Sequence, residues 1–260
     1  MISSSSNAKV KQVVLLKKKG KARKEKGAFL VEGIKMVEEA YEYGILEAYV
    51  SESAEEELKK AHGSFLNKLD YELVADKVFA EMSDTITPQG ILAVVKMPSY
   101  QVDDIIKSEH AHVMVLENLR DPGNLGTILR SGEGAGVTGV ILSKESVDIF
   151  NPKVIRSTMG SIFRVPFCYV EDLASVIGEM KQNGITLYAA HLKGTDNYEA
   201  FDYEKSCGFL IGNEANGLSD EISKEADCLV KIPMAGKVES LNAAMAASIL
   251  MFEVARQRRN

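Results

Sequence analysis

The chain has 260 residues, 45% hydrophobic and 26% charged, an ordinary globular composition that excludes a disordered polymer or a fibre. Its longest nearly apolar run, Leu241 to Phe252, is too short to cross a bilayer. The net charge of −6 argues against a nucleic-acid partner only as an average: residues 1–26 hold nine Lys or Arg against one acid, a net of +8, while the remainder, 22 basic against 36 acidic, carries −14.

No apolar signal core follows the N-terminal charges, so no secretory signal is expected. The cysteines (Cys168, Cys207, Cys228) are three, far apart and without a CxxC pair. A disulfide scaffold or zinc ribbon is not expected, and the expected compartment is a reducing cytoplasm.

In chain order, Val10, Val13 and Val14 at helical spacing among lysines predict a basic amphipathic helix. Phe29–Val31 reads as a strand, Glu32–Tyr43 as a helix closed by Gly44, Ile45–Val50 as a strand and Ala54–Ala61 as a charged surface helix. Glu72–Ala75 reads as a short strand, Asp76 as the cap of a following helix, and Ile91–Lys96 as an apolar strand. Residues 1–97 thus form a small α/β domain, and 98–107, beginning PSYQVDD, a linker. From 108 to 260 a second α/β alternation is expected. Its strands are His112–Leu116, Val137–Leu142, Ile185–Ala190, Phe209–Gly212 and Cys228–Ile232. Its helices lie around Asn124–Glu133, Asp172–Asn183, Asp220–Ala226 and Leu241–Arg256. Strands alternating with helices predict a parallel sheet with both faces covered.

Gly134 to Gly139 matches G-x-G-x-x-G, but it follows a helix and opens a strand. A dinucleotide site needs the reverse order, so an oxidoreductase is disfavoured and a helix-to-strand turn is expected. Three other segments follow strands. In DPGNLGTILR (121–130), Pro122 and Gly123 shape a turn, Asn124 is a candidate helix cap, and Arg130 lies six residues on, either functional or a surface ion-pair residue. LIGNEANGL (210–218) places two glycines, three amide or carboxylate side chains and exposed backbone groups together, either a ligand loop or an Asn-Gly turn. IPMAGKVESLN (232–242) offers Ser240 as N-cap of a final helix rich in small residues, suited to close packing against a ligand wall or a subunit. No HxxxH or HExxH spacing, phosphate loop or G-x-S-x-G elbow is present, so no metal is expected and no covalent nucleophile is apparent.

Together these three segments resemble the signature motifs of the SpoU (TrmH-like) RNA 2′-O-ribose methyltransferases of the SPOUT superfamily, in order and spacing. Asn151 to Ser161 resembles the family's stretch between the first two motifs. Ala28 to Gly33, with the basic run before it, resembles the family's small L30e-like substrate-binding domain. The resemblance implies an α/β fold with a trefoil knot and a homodimer built through the methyltransferase domain. It also implies S-adenosylmethionine as methyl donor and methyl transfer to a ribose 2′-hydroxyl. Carried onto this chain, it implies a catalytic set of Asn124, Arg130, Glu214, Ser240 and Asn242, and donor contacts from Gly212, Asn213, Ile232, Met234 and Leu241.

Arg130 is then either the group that activates the hydroxyl or a clamp for phosphate and developing alkoxide charge, since a guanidinium is hard to deprotonate. Lys17, Lys18, Lys19, Lys21, Arg23 and Lys24 are the expected RNA contacts, and removal of residues 1–26 is expected to weaken RNA binding while sparing donor binding. Thr127 and Gly132 stand where the family often has Ala, departures that touch no expected catalytic group. An appended L30e-like domain suits structured RNA and points to 23S rRNA. The alternatives are a transfer RNA substrate or a non-catalytic ribosome-assembly factor.

Overall fold

The computed structural model describes residues 1–194 and 196–259. They form two compact units, 1–98 with 150–163, and 99–149 with 164–260.

In the first unit, α1 (Ala8–Lys18) and α2 (Gly20–Lys26) precede β1 (Ala28–Glu32), α3 (Ile34–Ala40), β2 (Ile45–Ser51), α4 (Glu55–Leu66), β3 (Glu72–Val74), α5 (Asp76–Met82) and β4 (Ile91–Lys96). The sheet runs β1-β4-β2-β3, with β4 antiparallel to β1 and β2, and β3 parallel to β2. The α1 helix is an integral part of it. Val10, Val13 and Leu16 are buried in one cluster with Leu30, Tyr49, Phe79 and Val94, each such side chain contributing about 1.5–3 kcal/mol. The expected helix from Glu32 begins later, because Glu32 ends β1 and its carboxylate is engaged elsewhere.

The second unit contains α6 (Val102–Ile106), β5 (His112–Leu116), α7 (Pro122–Gly134) and β6 (Gly139–Ser143). The intervening α8 (Pro152–Thr158) lies in the segment grouped with the first unit. The second unit resumes with β7 (Phe167–Val170), α9 (Leu173–Gln182), β8 (Thr186–Ala190), β9 (Asp196–Asn197), β10 (Cys207–Ile211), α10 (Asp220–Lys224), β11 (Cys228–Lys231) and α11 (Ala243–Gln257). Its seven strands run β7-β6-β5-β10-β8-β11-β9, and every recorded pairing is parallel. From β5 the chain adds β6 and β7 on one side and the later strands on the other, so the order of strands switches between β5 and β10, the point where ligands gather beyond the carboxyl ends of a parallel sheet.

Four expectations need correction. The supposed linker holds α6, whose Ile105 and Ile106 are buried. Ile105 packs so tightly on β6 that a Cβ on Gly139 would lie 2.5 Å from it. Residues 150–163 do not pack as part of the second domain: Phe150 and Phe163 meet Phe29 at 4.8 and 6.0 Å, and Phe163 stacks on Tyr43. Both β7 and α8 were absent from the expected elements. The last helix starts at Ala243, capped by Asn242 rather than Ser240. Gly134 to Gly139 is the helix-to-strand turn, with Gly136 at φ +74°.

Candidate active site

Three loops leave the carboxyl ends of β5, β10 and β11, and a hydrogen-bonded junction ties them together. Asp121 caps α7 by accepting from Asn124 N at 2.8 Å. Asn124 is therefore not the cap; it sits in the first turn with its side-chain amide available. Its Nδ2 donates to Glu214 Oε1 at 2.9 Å, and its Oδ1 accepts from Asn242 Nδ2 at 2.9 Å. Asn242 Oδ1 in turn accepts from Ala244 N and Met245 N at the start of α11. Glu214 also accepts from the backbone N–H groups of Arg120 and Asp121, at 3.1 and 3.0 Å.

One carboxylate thus fixes the first loop and orients one amide, which orients a second amide at the root of the last helix. Partial burial pushes the Glu214 carboxyl up. The hydrogen bonds from the Asn124 side chain and from the N–H groups of Glu214, Asp121 and Arg120 outweigh it and hold the group below the usual carboxylate range. The carboxylate is therefore ionised at neutral pH.

Beside this junction lies a cleft of about 1080 Å³, at the upper end of the size of small-molecule sites. All five expected donor-contact residues, Gly212, Asn213, Ile232, Met234 and Leu241, line it. The β10 loop is folded so tightly that a Cβ on Gly212 would lie 2.1 Å from Gly217 C, so only glycine fits. Asn213 locks that turn: its N and O pair with Gly217, its Oδ1 accepts from Ala215 N, and its Nδ2 donates to Asn118 O at 2.7 Å. Ile211, Leu218, Ile232 and Leu241 give the cleft apolar walls beside the polar side chains of Asn213, Glu214 and Asn242, which suits a flat apolar ligand with polar edges.

Glu214, Ser240 and Asn242 also line this cleft. Ser240 is exposed, and among the described residues no hydrogen bond to its hydroxyl is recorded. Arg130 is exposed on α7, two turns beyond the capped end, and no hydrogen bond or ion pair to its guanidinium is recorded among the described residues. The structure therefore brings Asn124, Glu214 and Asn242 into direct contact, sets Ser240 at the cleft, and leaves Arg130 outside the junction.

The profile of the SpoU rRNA Methylase family matches residues 111–252, more than half of the chain and all three loops. The chain belongs to the SpoU rRNA methylase family. Similar to it is the 23S rRNA (guanosine(2553)-2′-O)-methyltransferase RlmP of Bacillus subtilis, 32% identical over 97% of this chain and 98% of the relative. Among solved structures, the SpoU methyltransferase AviRb from Streptomyces viridochromogenes, in complex with the cofactor AdoMet, has a TM-score of 0.87 at 31% identity. It covers 97% of this chain and 98% of its own. An rRNA methyltransferase from Sinorhizobium meliloti has a TM-score of 0.87 at 31% identity, covering 100% and 98%. A second profile, the MRM3-like substrate binding domain, matches residues 7–93.

This SpoU chain divides its basic N-terminal run into two roles. Arg23 is only 4% exposed and donates to Leu16 O at 2.6 Å and Lys17 O at 3.3 Å, satisfying the carboxyl end of α1. Lys17 donates to Glu81 O and Ser83 O at 2.6 and 2.7 Å, and burial lowers its pKa. Both are taken up within the fold, which corrects their reading as phosphate contacts. Lys18, Lys19, Lys21 and Lys24 are exposed, together with Lys11 and Lys26. Residues missed in the sequence include Asp121, whose D-P-x-N spacing is itself an N-cap signal, and Glu117, a buried carboxylate accepting from Ser219 N at 2.7 Å to close the β10 loop. His191 and Lys193 also line the cleft, from a loop with no signal of its own.

Proposed function

We propose that this SpoU methylase transfers a methyl group from S-adenosylmethionine to a ribose 2′-hydroxyl of 23S rRNA, through the cleft beside β10. The supporting observation is the Glu214–Asn124–Asn242 junction, which joins all three family segments at the cleft mouth. Bound there, the donor supplies an electrophilic methyl on a sulfonium. The cleft's backbone groups and Gly212, Asn213, Ile232, Met234 and Leu241 hold it. Asn124 and Asn242, immobilised by Glu214, position the incoming ribose, and Ser240 offers a hydroxyl to it, so that orientation supplies much of the rate.

A guanidinium does not act as a base in a protein, so Arg130 is assigned no proton transfer. Its role is to hold a phosphate next to the target and stabilise negative charge on the 2′-oxygen as its proton leaves to water. Because Arg130 lies outside the Glu214 junction, a second copy docked through α7 and α11 completes the site. This is the homodimer the family implies. Its trefoil knot is proposed here too, as the device that holds the β10 and β11 loops together around the donor. The AdoMet complex of AviRb and the 23S rRNA 2′-O-methyltransferase activity for which RlmP is named support the choice of donor and of reaction.

The test is incubation of a 23S rRNA transcript with purified protein and labelled donor, followed by nucleoside mass spectrometry. One 2′-O-methyl nucleoside is expected. Methylation of a base, or of transfer RNA in preference, would overturn the assignment.

A further inference from the structure

The turn between β5 and α7, Asn118 to Asp121, is held along its whole length and leaves one arginine side chain in solvent. Asn118 takes a left-handed φ of +54°, and its neighbours hold it there. Its N–H donates to Ser143 Oγ at 2.8 Å and its carbonyl accepts from Asn213 Nδ2 at 2.7 Å. Leu119 is fully buried; its N–H donates to Ser146 Oγ at 3.2 Å and its carbonyl accepts from Val147 N at 2.8 Å. The N–H groups of Arg120 and Asp121 then close on the two oxygens of Glu214.

The backbone of Arg120 is therefore fixed while its side chain is exposed. Among the described residues its guanidinium has no recorded hydrogen bond or ion pair. The acids next to it are engaged with other donors. Asp121 Oδ1 caps α7, Glu214 takes two backbone N–H groups and the Asn124 amide, and Glu117 accepts from Ser219 N. Other basic side chains of the second unit differ: Lys107, Lys144, Arg164, Lys181 and Arg256 each pair with a carboxylate. Arg120 N lies one hydrogen bond from Glu214, and Glu214 lies one hydrogen bond from Asn124. An unspent cation thus stands at the edge of the place where the ribose is positioned.

We propose that Arg120 is a substrate-positioning residue that grips a phosphate flanking the target ribose. The proposal rests on the RNA-methyltransferase reading and adds a second anchor to it. A nucleotide within an RNA chain has a phosphate on either side of its sugar. Arg130 of the docked copy holds one, and Arg120, on the chain whose Asn124 and Asn242 position the ribose, holds the other. A guanidinium fork matches two phosphate oxygens at once. Such a contact sets the register of the RNA in the site without reading its sequence. Because Glu214 holds both Asn124 and the Arg120 backbone, the sugar and its phosphate are located from one carboxylate.

The experiment measures methylation kinetics on a 23S rRNA transcript, the salt dependence of transcript binding, and donor affinity by calorimetry, for full-length wild type, Arg120→Ala and Arg120→Lys. All three keep the N–H that Glu214 binds, so melting temperatures should agree. In Arg120→Ala the KM for RNA should rise about tenfold, the loss of one charged hydrogen-bonded contact, and far more than kcat falls. Its salt slope should drop by about one unit, with donor affinity unchanged. Arg120→Lys should restore the slope and only part of the KM, since an ammonium cannot grip two oxygens in a fixed fork. Wild-type KM and slope in Arg120→Ala overturn the proposal. So does a loss of donor affinity or of melting temperature with the slope unchanged, which would make Arg120 a donor contact or a structural residue. If wild type methylates the transcript and Arg120→Ala matches it, this proposal fails alone; if wild type neither binds nor methylates the transcript, the functional reading fails and the proposal with it.

Discussion

Asn124 shows how a residue's role depends on its neighbour. Freed from capping by Asp121, it carries a hydrogen bond in each direction between Glu214 and Asn242. In Glu214→Gln an N–H₂ replaces one oxygen and faces a backbone donor, so one contact is lost and the amide pair loosens. Turnover should fall by about tenfold or more with donor affinity nearly kept, as single-turnover rates and calorimetry would show. In Gly212→Ala the new methyl meets backbone of Gly217, and donor affinity itself should collapse.

Elsewhere, His112 is buried with neither ring nitrogen bonded among the described residues, and burial, with Arg258 nearby, lowers its pKa to about 3. The unfolded chain binds this proton near pH 6.5 and the folded chain does not. Stability is therefore full above that value and lost as pH falls toward 3, on the order of 2 kcal/mol by pH 5. Denaturant melts should show a smaller pH dependence for His112→Leu; an identical one contradicts the assignment. The identities of Asn124, Glu214 and Asn242 were readable from motif spacing, but their mutual contacts were not, because residues 90 and 118 apart meet only through tertiary packing.

At the level of elements, the strands and the long helices were legible from apolar periodicity, and their ends were less so. Ser240 and Asn242 are both good capping residues by type, and the choice between them is made by the hydrogen bond from Asn242 to Asn124. Asn242→Ala should cost about 1 kcal/mol as a lost cap, and turnover as well. Ser240→Ala should leave the melting temperature unchanged, with any effect confined to kinetics. Equal destabilisation by both would place the cap at Ser240 after all. The α6 helix escaped notice because Pro98 and the acidic pair Asp103 and Asp104 look like a linker, while its Val102, Ile105 and Ile106 already had helical spacing. The segment carrying α8 packs with the first unit through Phe150 and Phe163, a long-range pairing that no local pattern encodes.

Across the whole molecule, charge asymmetry was visible in the sequence, but its division was not. Nine basic residues precede Gly27, yet Arg23 and Lys17 are spent on carbonyls, and Val10, Val13 and Leu16 belong to the core of the first unit. Removal of residues 1–26 would therefore expose that core rather than merely trim a basic tail. The discriminating change is reversal of exposed charges only. Lys18→Glu, Lys19→Glu and Lys24→Glu together should keep the melting temperature and donor affinity while lowering the salt slope of RNA binding by about two to three units. An unchanged slope would remove this face from RNA recognition.

The most direct test of the account is transfer of labelled methyl from S-adenosylmethionine to a 23S rRNA transcript by wild type and by Arg130→Ala, with the product nucleoside identified by mass spectrometry. Wild type should yield a single 2′-O-methyl nucleoside. Arg130→Ala should bind donor normally and turn over at least about 100-fold more slowly. No ribose-methylated product from wild type, or undiminished turnover in Arg130→Ala, would contradict it.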